Sequence, residues 1–267
     1  MKKLMLLIFL MFSTLLVAQE WVVQHEGESF SLTSVHFTDK NNGFAVGGLL
    51  SFFTSDGGET WIQVDTLGIV KWRKVTGPKN SNTIYTCGTN GQIGKLGEGT
   101  FTFLNSGTTK TLNGLTFPTE NTGYAVGEDG IILKTTNAGL TWTEQNSGTS
   151  EWLTNISSSD TDCVIAVGDN GTILQTTNGG ENWVNKSDPN IKVYLSGVMV
   201  NSLFESWISG SEGVIIRIRR DTLDTFTIET GDGIMALGFV NPSVSLGVGD
   251  NGVVVSFDGE QWKIETS

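Results

Sequence analysis

The stretch Thr135-Thr136-Asn137-Ala138-Gly139-Leu140-Thr141-Trp142 decides the fold of this chain, because it recurs. Its pattern, Ser/Thr-x-Asp/Asn-x-Gly-x-Thr/Asn-Trp, also fits residues 54–61 and 176–183, and residues 256–262 carry a version one residue shorter. Asp or Asn can hydrogen-bond the backbone of a tight turn, and Gly supplies positive φ where the chain reverses. The Trp begins the returning strand and buries a large ring. The stretch therefore predicts a hairpin repeated along the chain, with these structural residues: Asp56, Trp61, Asn137, Trp142, Asn178, Trp183, Asp258 and Trp262.

A glycine at the end of an apolar strand gives the length of the repeat. It occurs as Gly47, Gly88, Gly127, Gly168, Gly210 and Gly249, with spacings of 41, 39, 41, 42 and 39 residues. Near-continuous apolar runs such as 43–46 and 123–126 precede it, as expected of strands covered on both faces. Six such units predict a single all-β domain, a propeller of six four-stranded blades. The repeats lie near residues 31–64, 71–104, 111–146, 152–186, 194–230 and 233–267.

Two of the six units have lost the turn chemistry and kept only the aromatic residue, Phe101 in the second unit and Phe226 in the fifth. A further segment, Trp21-Val22-Val23-Gln24, precedes Gly47 by the same 26 residues that separate Trp142 from Gly168. It is in register as the last strand of a preceding blade. It could pair outside the sixth blade, replace that blade's last strand, or belong to a seventh blade, so seven blades are the alternative to six.

The first 18 residues are typical of a secretory signal peptide. Lys2 and Lys3 precede a mainly apolar run, residues 4–17, that is shorter than a membrane span, and Ala18 provides a small residue at a plausible cleavage point. The propeller should therefore occupy residues 19–267 of an exported protein that is periplasmic, on the cell surface or secreted. No later segment is apolar over the length of a membrane span, so none is predicted in the mature chain.

Charge and composition limit the partners. The formal net charge is −12, and the chain has only four arginines, which argues against nucleic acid and anionic membrane surfaces. Cys87 and Cys163 fall at different strand positions of non-adjacent units, so we expect two separate buried thiols. With two histidines, His25 and His36, the sequence predicts no metal site and no cofactor.

The loops at one end of the predicted propeller are the candidate binding face. If the first strand of each blade is innermost, the second-to-third-strand turns share this end with the connections between blades. Asn-Gly and Asp-Gly pairs in these turns are ordinary hairpin signals, but together the turns would also form an acidic ring. Large aromatics occur in the connections and could anchor a partner, or they could cap the core between blades. The candidate residues are Trp72, Arg73, Trp152, Tyr194, Glu128, Asp129, Asp169, Glu212 and Asp250.

The repeated stretch resembles the Asp-box, or BNR repeat, of sialidase-like β-propellers. In sialidases, three arginines from different blades grip a carboxylate beside a Tyr nucleophile. Here Arg217, Arg219 and Arg220 share one strand, so the resemblance implies the fold and not that activity. The phrases 112–117, 123–127 and 130–136 closely resemble the photosystem II assembly-factor-like propeller family from about residue 30 onward. That likeness implies a non-catalytic propeller that binds a partner protein, although the chain departs from the arginine-lined patch of photosynthetic members.

These observations predict an exported, non-catalytic propeller acting as a protein-interaction or assembly-factor-like scaffold. The alternative is a carbohydrate-binding module or a glycoside hydrolase of the sialidase-like superfamily. The partner is therefore a protein or a glycan, and the oligomeric state is left open.

Overall fold

The computed structural model describes residues 32–64, 70–97, 99–202, 205–220, 222–229, 231–241 and 244–265. These residues form six four-stranded antiparallel sheets, each built from four consecutive strands. The prediction of an all-β propeller with six four-stranded blades is confirmed. The predicted signal peptide and the segment Trp21–Gln24 lie outside the described residues. No helix in the described part of the chain is both long enough and apolar enough to cross a membrane.

The first three blades contain strands β1 to β12, named a to d within each blade. Blade 1 consists of β1 Ser34–Phe37, β2 Gly43–Gly47, β3 Leu50–Thr54 and β4 Ile62–Gln63. Blade 2 consists of β5 Trp72–Thr76, β6 Ile84–Gly88, β7 Ile93–Gly97 and β8 Thr100–Leu104. Blade 3 consists of β9 Leu112–Thr116, β10 Gly123–Gly127, β11 Ile132–Thr135 and β12 Thr143–Gln145.

The other three blades continue in the same order. Blade 4 consists of β13 Leu153–Ser158, β14 Val164–Gly168, β15 Ile173–Thr176 and β16 Val184–Asn185. Blade 5 consists of β17 Leu195–Ser202, β18 Glu205–Gly210, β19 Val214–Arg219 and β20 Thr222–Thr227. Blade 6 consists of β21 Ile234–Asn241, β22 Val244–Gly249, β23 Val254–Phe257 and β24 Trp262–Glu265. Five one-turn 3-10 segments join strands b and c in blades 2 to 6: Thr89–Gly91, Glu128–Gly130, Asp169–Gly171, Ser211–Gly213 and Asp250–Gly252.

The Asp-box turns have the hydrogen bonds that the sequence predicts. In blade 3 the Asn137 Oδ1 atom accepts hydrogen bonds from the Thr141 backbone N–H at 2.9 Å and from the Thr135 hydroxyl at 3.0 Å. Asp56 and Asn178 repeat this arrangement in blades 1 and 4. The Trp142 ring packs edge-on against Phe117 at a centroid distance of 6.0 Å. These turns are therefore local staples with a Trp closing the edge of the core.

The strand-end glycine is required by a close approach of two backbones. A Cβ atom on Gly127 would lie 1.9 Å from the Thr111 carbonyl oxygen, and one on Gly168 would lie 2.1 Å from that of Trp152. No other residue fits without moving the chain that enters strand a. The same proximity lets the residue after each glycine donate its backbone N–H to that carbonyl, as Asp169 does to Trp152 at 2.9 Å.

A bulge in strand a ties most blades to the next. The bulge residue lies between the first two paired residues of the strand, as Thr154 does between Leu153 and Asn155. The Thr154 hydroxyl donates to the Leu195 carbonyl of the following blade. Equivalent side chains do the same at three other interfaces: Thr33 to Trp72, Asn113 to Leu153 and Ser196 to Ile234. The acceptor is in every case a main-chain oxygen of the next innermost strand.

The hydrophobic core lies between blades. Five clusters of buried residues fill the five interfaces between consecutive blades from blade 1 to blade 6. Each cluster joins buried residues of one blade to buried residues of the next, as Val126 and Ile132 meet Leu153 and Ile156. Sheet faces thus bury apolar area against sheet faces, the main favourable contribution to folding.

The described residues show no such cluster between blade 6 and blade 1, and we call these two facing surfaces the seam. Val35 on blade 1 is 57% exposed, whereas its register equivalents Val75, Leu115 and Ile156 are 1–3% exposed. On blade 6, Val248 is 43% exposed, whereas the residues at the same register of the other five blades are fully buried: Val46, Cys87, Val126, Val167 and Ser209. In the described part of the chain, both faces of the seam therefore carry apolar side chains that are partly exposed to solvent.

Candidate functional site

The antiparallel strand order sorts the loops onto two ends of the propeller. The b–c turns and the connections from strand d to the next strand a lie at one end, which we call the mouth. The a–b hairpins and the Asp-box turns lie at the other. Because the Asp-box side chains satisfy their own turns, variable side chains that remain available for binding are concentrated at the mouth.

The b–c turns are the tight hairpin turns that the Asn-Gly and Asp-Gly pairs predict. Their central residues have φ of 53–59°, and the following glycines have φ of 67–77°. Both values are in the left-handed region, which Asn, Asp and Gly adopt most readily. The residues in this central position are Asn90, Asp129, Asn170, Glu212 and Asn251. Side chains here point away from a rigid turn.

Two aromatic side chains stand out at the mouth. Trp152 is 49% exposed and Tyr194 is 47% exposed. Each lies one residue before strand a, in blades 4 and 5, and each accepts a backbone hydrogen bond from the turn beside it. The corresponding residues of other blades are Lys71, Thr111 and Gly233. Trp152 and Tyr194 are thus held by the backbone of two adjacent blades with half of each side chain in solvent.

Of the two interpretations of Trp72, an anchor for a partner or a cap on the core between blades, the structure supports the second, and Trp72 is not part of an exposed binding face. Trp72 is 0% exposed and belongs to the core between blades 1 and 2, where its ring packs against Phe101. Trp72 pairs with Gly88 as Leu112 pairs with Gly127. The a–b hairpin of blade 2 has one extra residue, so counting back from the glycine shifts the position by one. Lys71 holds the place that the sequence assigned to Trp72.

Asp169 lies beside both aromatics and is electrostatically unsatisfied. Its carboxylate accepts no hydrogen bond from the described residues. Partial burial, and then the neighbouring Glu151 carboxylate, raise the pKa of Asp169. Burial raises the pKa of Tyr194 as well, and the Asp169 charge raises it further. We call Trp152, Tyr194, Asp169 and Glu151 the aromatic–carboxylate cluster. It combines two exposed rings with two carboxylates whose charges repel each other.

Most other acidic candidates at the mouth have different surroundings. The Glu128 carboxylate accepts the Thr111 backbone N–H at 2.8 Å, and Asp129 pairs with Lys110 at 3.5 Å. Glu212 and Asp250 are exposed on the turns of blades 5 and 6. The predicted acidic ring is therefore uneven. Its carboxylates in blade 3 form a hydrogen bond and an ion pair, Asp169 beside the aromatics faces another carboxylate, and those of blades 5 and 6 are exposed to solvent.

Arg73 is the exposed arginine of the mouth. It occupies the strand a bulge of blade 2, and its charge lowers the pKa of Tyr194 of blade 5. The arginines of blade 5 lie elsewhere: Arg217 and Arg219 both bind Asp224, at 2.9 and 3.0 Å. The described residues therefore do not bring several arginines together around one ligand site.

The end of the propeller opposite the mouth has a cavity that the sequence did not predict. A cavity of about 400 Å³ is lined by the a–b hairpins of blades 1 to 4, including His36, Thr76, Thr116 and Ser158. Burial, and then the nearby Lys74 charge, lower the pKa of His36, so the imidazole is neutral at pH 7. His36 packs against Gly77, where an added Cβ would lie 3.2 Å from Nε2. A groove of about 530 Å³ also runs between the outer strands of blades 5 and 6.

Metal and thiol chemistry find little support in the described part of the chain. It contains no group of three or more His, Cys, Asp or Glu side chains placed to hold a metal ion. Cys87 and Cys163 are free and buried, as predicted. Burial raises the pKa of the Cys87 thiol to about 12, which keeps it protonated and unreactive at neutral pH.

Comparison with known proteins agrees with this architecture. Residues 98–185 match the family model described as "Photosynthesis system II assembly factor YCF48". The match spans the last strand of blade 2 and all four strands of blades 3 and 4, which contain two intact Asp-boxes, and it includes Trp152. No curated protein sequence matches the chain.

Solved structures extend the likeness to the whole propeller. A structure described as YCF48 bound to D1 peptide has a TM-score of 0.72 and 16% identity, over 89% of this chain and 82% of that one. YCF48 from Cyanidioschyzon merolae gives 0.68 and 17%, over 88% and 84%. Streptogramin B lyase gives 0.75 and 16%, over 88% and 84%. At these identities the likeness shows a shared β-propeller fold.

Sequence reasoning missed two features that order the mouth. The first is a repeated Asn-Ser-Gly-Thr, at residues 105–108 and 146–149, in the connections that lead into blades 3 and 4. Its side chains hydrogen-bond the local backbone, and the Ser106 hydroxyl also donates to the Gly91 carbonyl at 2.6 Å. The 41-residue spacing of this motif was a readable signal. The second is the unsatisfied state of Asp169, for which the sequence carried no signal.

Proposed function

We propose that the protein is an exported, non-catalytic propeller that binds a partner protein or peptide at its mouth. The observation that carries the proposal is the pair of half-exposed aromatics, Trp152 and Tyr194, fixed on adjacent rigid blades. Aromatic side chains anchored in this way contribute much of the binding energy of protein interfaces at low entropic cost. The YCF48 structure with a D1 peptide shows that a propeller of this fold holds a peptide.

The test is site-specific photo-crosslinking in the native envelope. We expect benzoylphenylalanine in place of Trp152 to give a discrete adduct with a second polypeptide. The control position is Leu140, which is 72% exposed on an Asp-box turn at the opposite end. Equal adducts from both positions, or none from position 152, would contradict a mouth site. Turnover of any chromogenic glycoside would contradict the non-catalytic assignment.

Export has its own measurement. The N-terminal residue of the protein purified from the producing cell should be Gln19, because cleavage after Ala18 removes the apolar leader. Recovery of an intact Met1 in the cytoplasmic fraction would refute export without affecting the mouth site.

A further inference from the structure

We infer that the aromatic–carboxylate cluster is a seat for one basic side chain, arginine or lysine, of a bound peptide. This inference rests on the proposed function and specifies the chemistry of the partner. It predicts that the mouth binds a cationic residue of the partner between blades 4 and 5.

The first step is the departure of Asp169 from its equivalents. In blades 2, 3 and 5 the residue after the strand-end glycine uses its side chain to accept a backbone N–H of the preceding connection: Thr89 from Lys71, Glu128 from Thr111 and Ser211 from Tyr194. Asp169 holds this position in blade 4, and no such bond forms with Trp152. The Asp169 carboxylate is therefore free to accept hydrogen bonds from a ligand. Asp250 of blade 6 forms no such bond with Gly233 among the described residues either, but the residue before strand a is a glycine there and supplies no ring.

The second step is electrostatic. Asp169 is partly withdrawn from water and lies near the Glu151 carboxylate, whose one hydrogen bond within the mouth is a long one, 3.4 Å, from the Asn170 side-chain amide. Two like charges in a half-buried place destabilise each other. A cation bound between them would relieve the repulsion and form charge-assisted hydrogen bonds at the same time.

The third step is the pair of rings. Trp and Tyr faces attract cations, with Trp the stronger, and the attraction grows as the cation loses water. Trp152 and Tyr194 border Asp169 on the two adjacent connections, so a guanidinium or ammonium that reaches the carboxylate also meets aromatic surface. The aliphatic stem of the same side chain covers the exposed apolar part of the rings.

Arg73 gives the seat a direction. Its charge lowers the pKa of Tyr194, whereas the charge of Asp169 raises it. Cations are therefore favoured on the Asp169 side of Tyr194 and disfavoured on the Arg73 side. A peptide with one basic residue, followed by a neutral or acidic one, fits this arrangement better than a run of basic residues.

The experiment is fluorine NMR of the full chain labelled with 5-fluorotryptophan, with the Trp152 resonance assigned by Trp152→Phe. The probes are the blocked pentapeptides Gly-Gly-Arg-Gly-Gly and Gly-Gly-Cit-Gly-Gly, in which citrulline removes the charge and keeps the shape. We expect the arginine peptide to shift the Trp152 resonance with saturation, and the citrulline peptide to bind about tenfold more weakly or worse.

Two variants separate the seat from general attraction by an acidic protein. Asp169→Asn should remove the preference for arginine over citrulline. Asp250→Asn removes one carboxylate from the equivalent turn position of blade 6, and it should leave the preference intact. Equal shifts by the two peptides, no shift by either, or an unchanged preference in Asp169→Asn would each overturn the inference. If position 152 still crosslinks a partner in any of those cases, the proposed function stands and only the basic seat fails.

Discussion

The seam makes a quantitative prediction about four valines that share one register position. Val46, Val126 and Val167 are fully buried between consecutive blades, whereas Val248 faces the seam and is 43% exposed. The perturbation is the same substitution, Val→Ala, at each position. Because the residue type, strand and backbone pairing are matched, differences in stability report the cover on each sheet face.

The magnitude follows from the carbon atoms removed. Each substitution deletes two methyl-sized groups, worth about 0.8 kcal/mol each when fully buried, and the residual cavity brings the loss to about 2–3 kcal/mol. At Val248 part of the transfer term is absent and no closed cavity forms, so the loss should be below about 1 kcal/mol. For a chain of this size, the buried variants should melt about 4–12 °C lower, and Val248→Ala less than about 4 °C lower.

The assay is urea unfolding followed by tryptophan fluorescence, supported by thermal melts. Unchanged slopes of the unfolding free energy with urea would show that the variants differ in stability and not in the extent of unfolding. The reasoning is refuted if Val248→Ala costs as much as Val126→Ala, because blade 6 would then be covered as fully as the other blades. Equal and small losses at all four positions would refute the assigned inter-blade cores instead.

Three further predictions concern the turns and the mouth. Gly168→Ala places a Cβ 2.1 Å from the Trp152 carbonyl oxygen, so it should lower the free energy of unfolding by about 1–3 kcal/mol and displace Trp152. The control Gly238→Ala, whose Cβ would meet nothing within 4 Å, should be tolerated. Equal melting temperatures of the two variants would contradict the close-approach argument. Hydrogen bonds, chiefly from Thr60, lower the pKa of Asp56 from 3.8 to about 2, so this carboxylate stabilises the fold above about pH 4 and loses that effect as the pH falls through 2. Asp56→Asn should therefore reduce the dependence of the melting temperature on pH at acid pH. The same pH dependence in both proteins would exclude a stabilising role of the carboxylate. The raised pKa of Asp169 means that its charged form destabilises the fold, so Asp169→Asn should raise the melting temperature at pH 7 and give a shrinking difference as the pH falls through the titration of the carboxyl; a lower melting temperature would indicate a structural role.

The fold could be predicted from the sequence because its determinants are local. Asn137, Gly139 and Trp142 specify a turn through contacts within eight residues, and that information recurs in four of the six blades. The same holds for the b–c turns, where residues such as Asp129 take positive φ before a glycine. Phe101 and Phe226 confirm that a unit can lose the turn motif and keep the ring, since Phe101 packs edge-on against Trp72 and Phe226 stacks on Trp207.

The candidate site was only partly readable because its decisive properties are not local. The sequence identifies Trp152 and Tyr194 as large aromatics in the connections between blades. One inserted residue in the a–b hairpin of blade 2 moves Trp72 out of that position and into strand a. The Asp169 carboxylate is unsatisfied because the neighbouring connection does not donate a backbone N–H to it, and the residues around Asp169 in the sequence do not show this. The exposure of Val35 and Val248 at the seam depends on what packs against their strands, and the residue pattern of either strand does not predict it.

The hydrogen bonds from the strand a bulges have a consequence for how such a chain can change over evolutionary time. Their acceptors are main-chain carbonyl groups, which every residue type provides, so a blade can be docked by its predecessor whatever its own sequence. These hydrogen bonds therefore require no co-variation between neighbouring units, in contrast to the side chains that pack in the core between blades. A single blade can therefore be duplicated or exchanged, or can lack the Asp-box turn as blades 2 and 5 do, without losing these hydrogen bonds. A neighbouring mouth position such as Trp152 can at the same time change to suit a ligand.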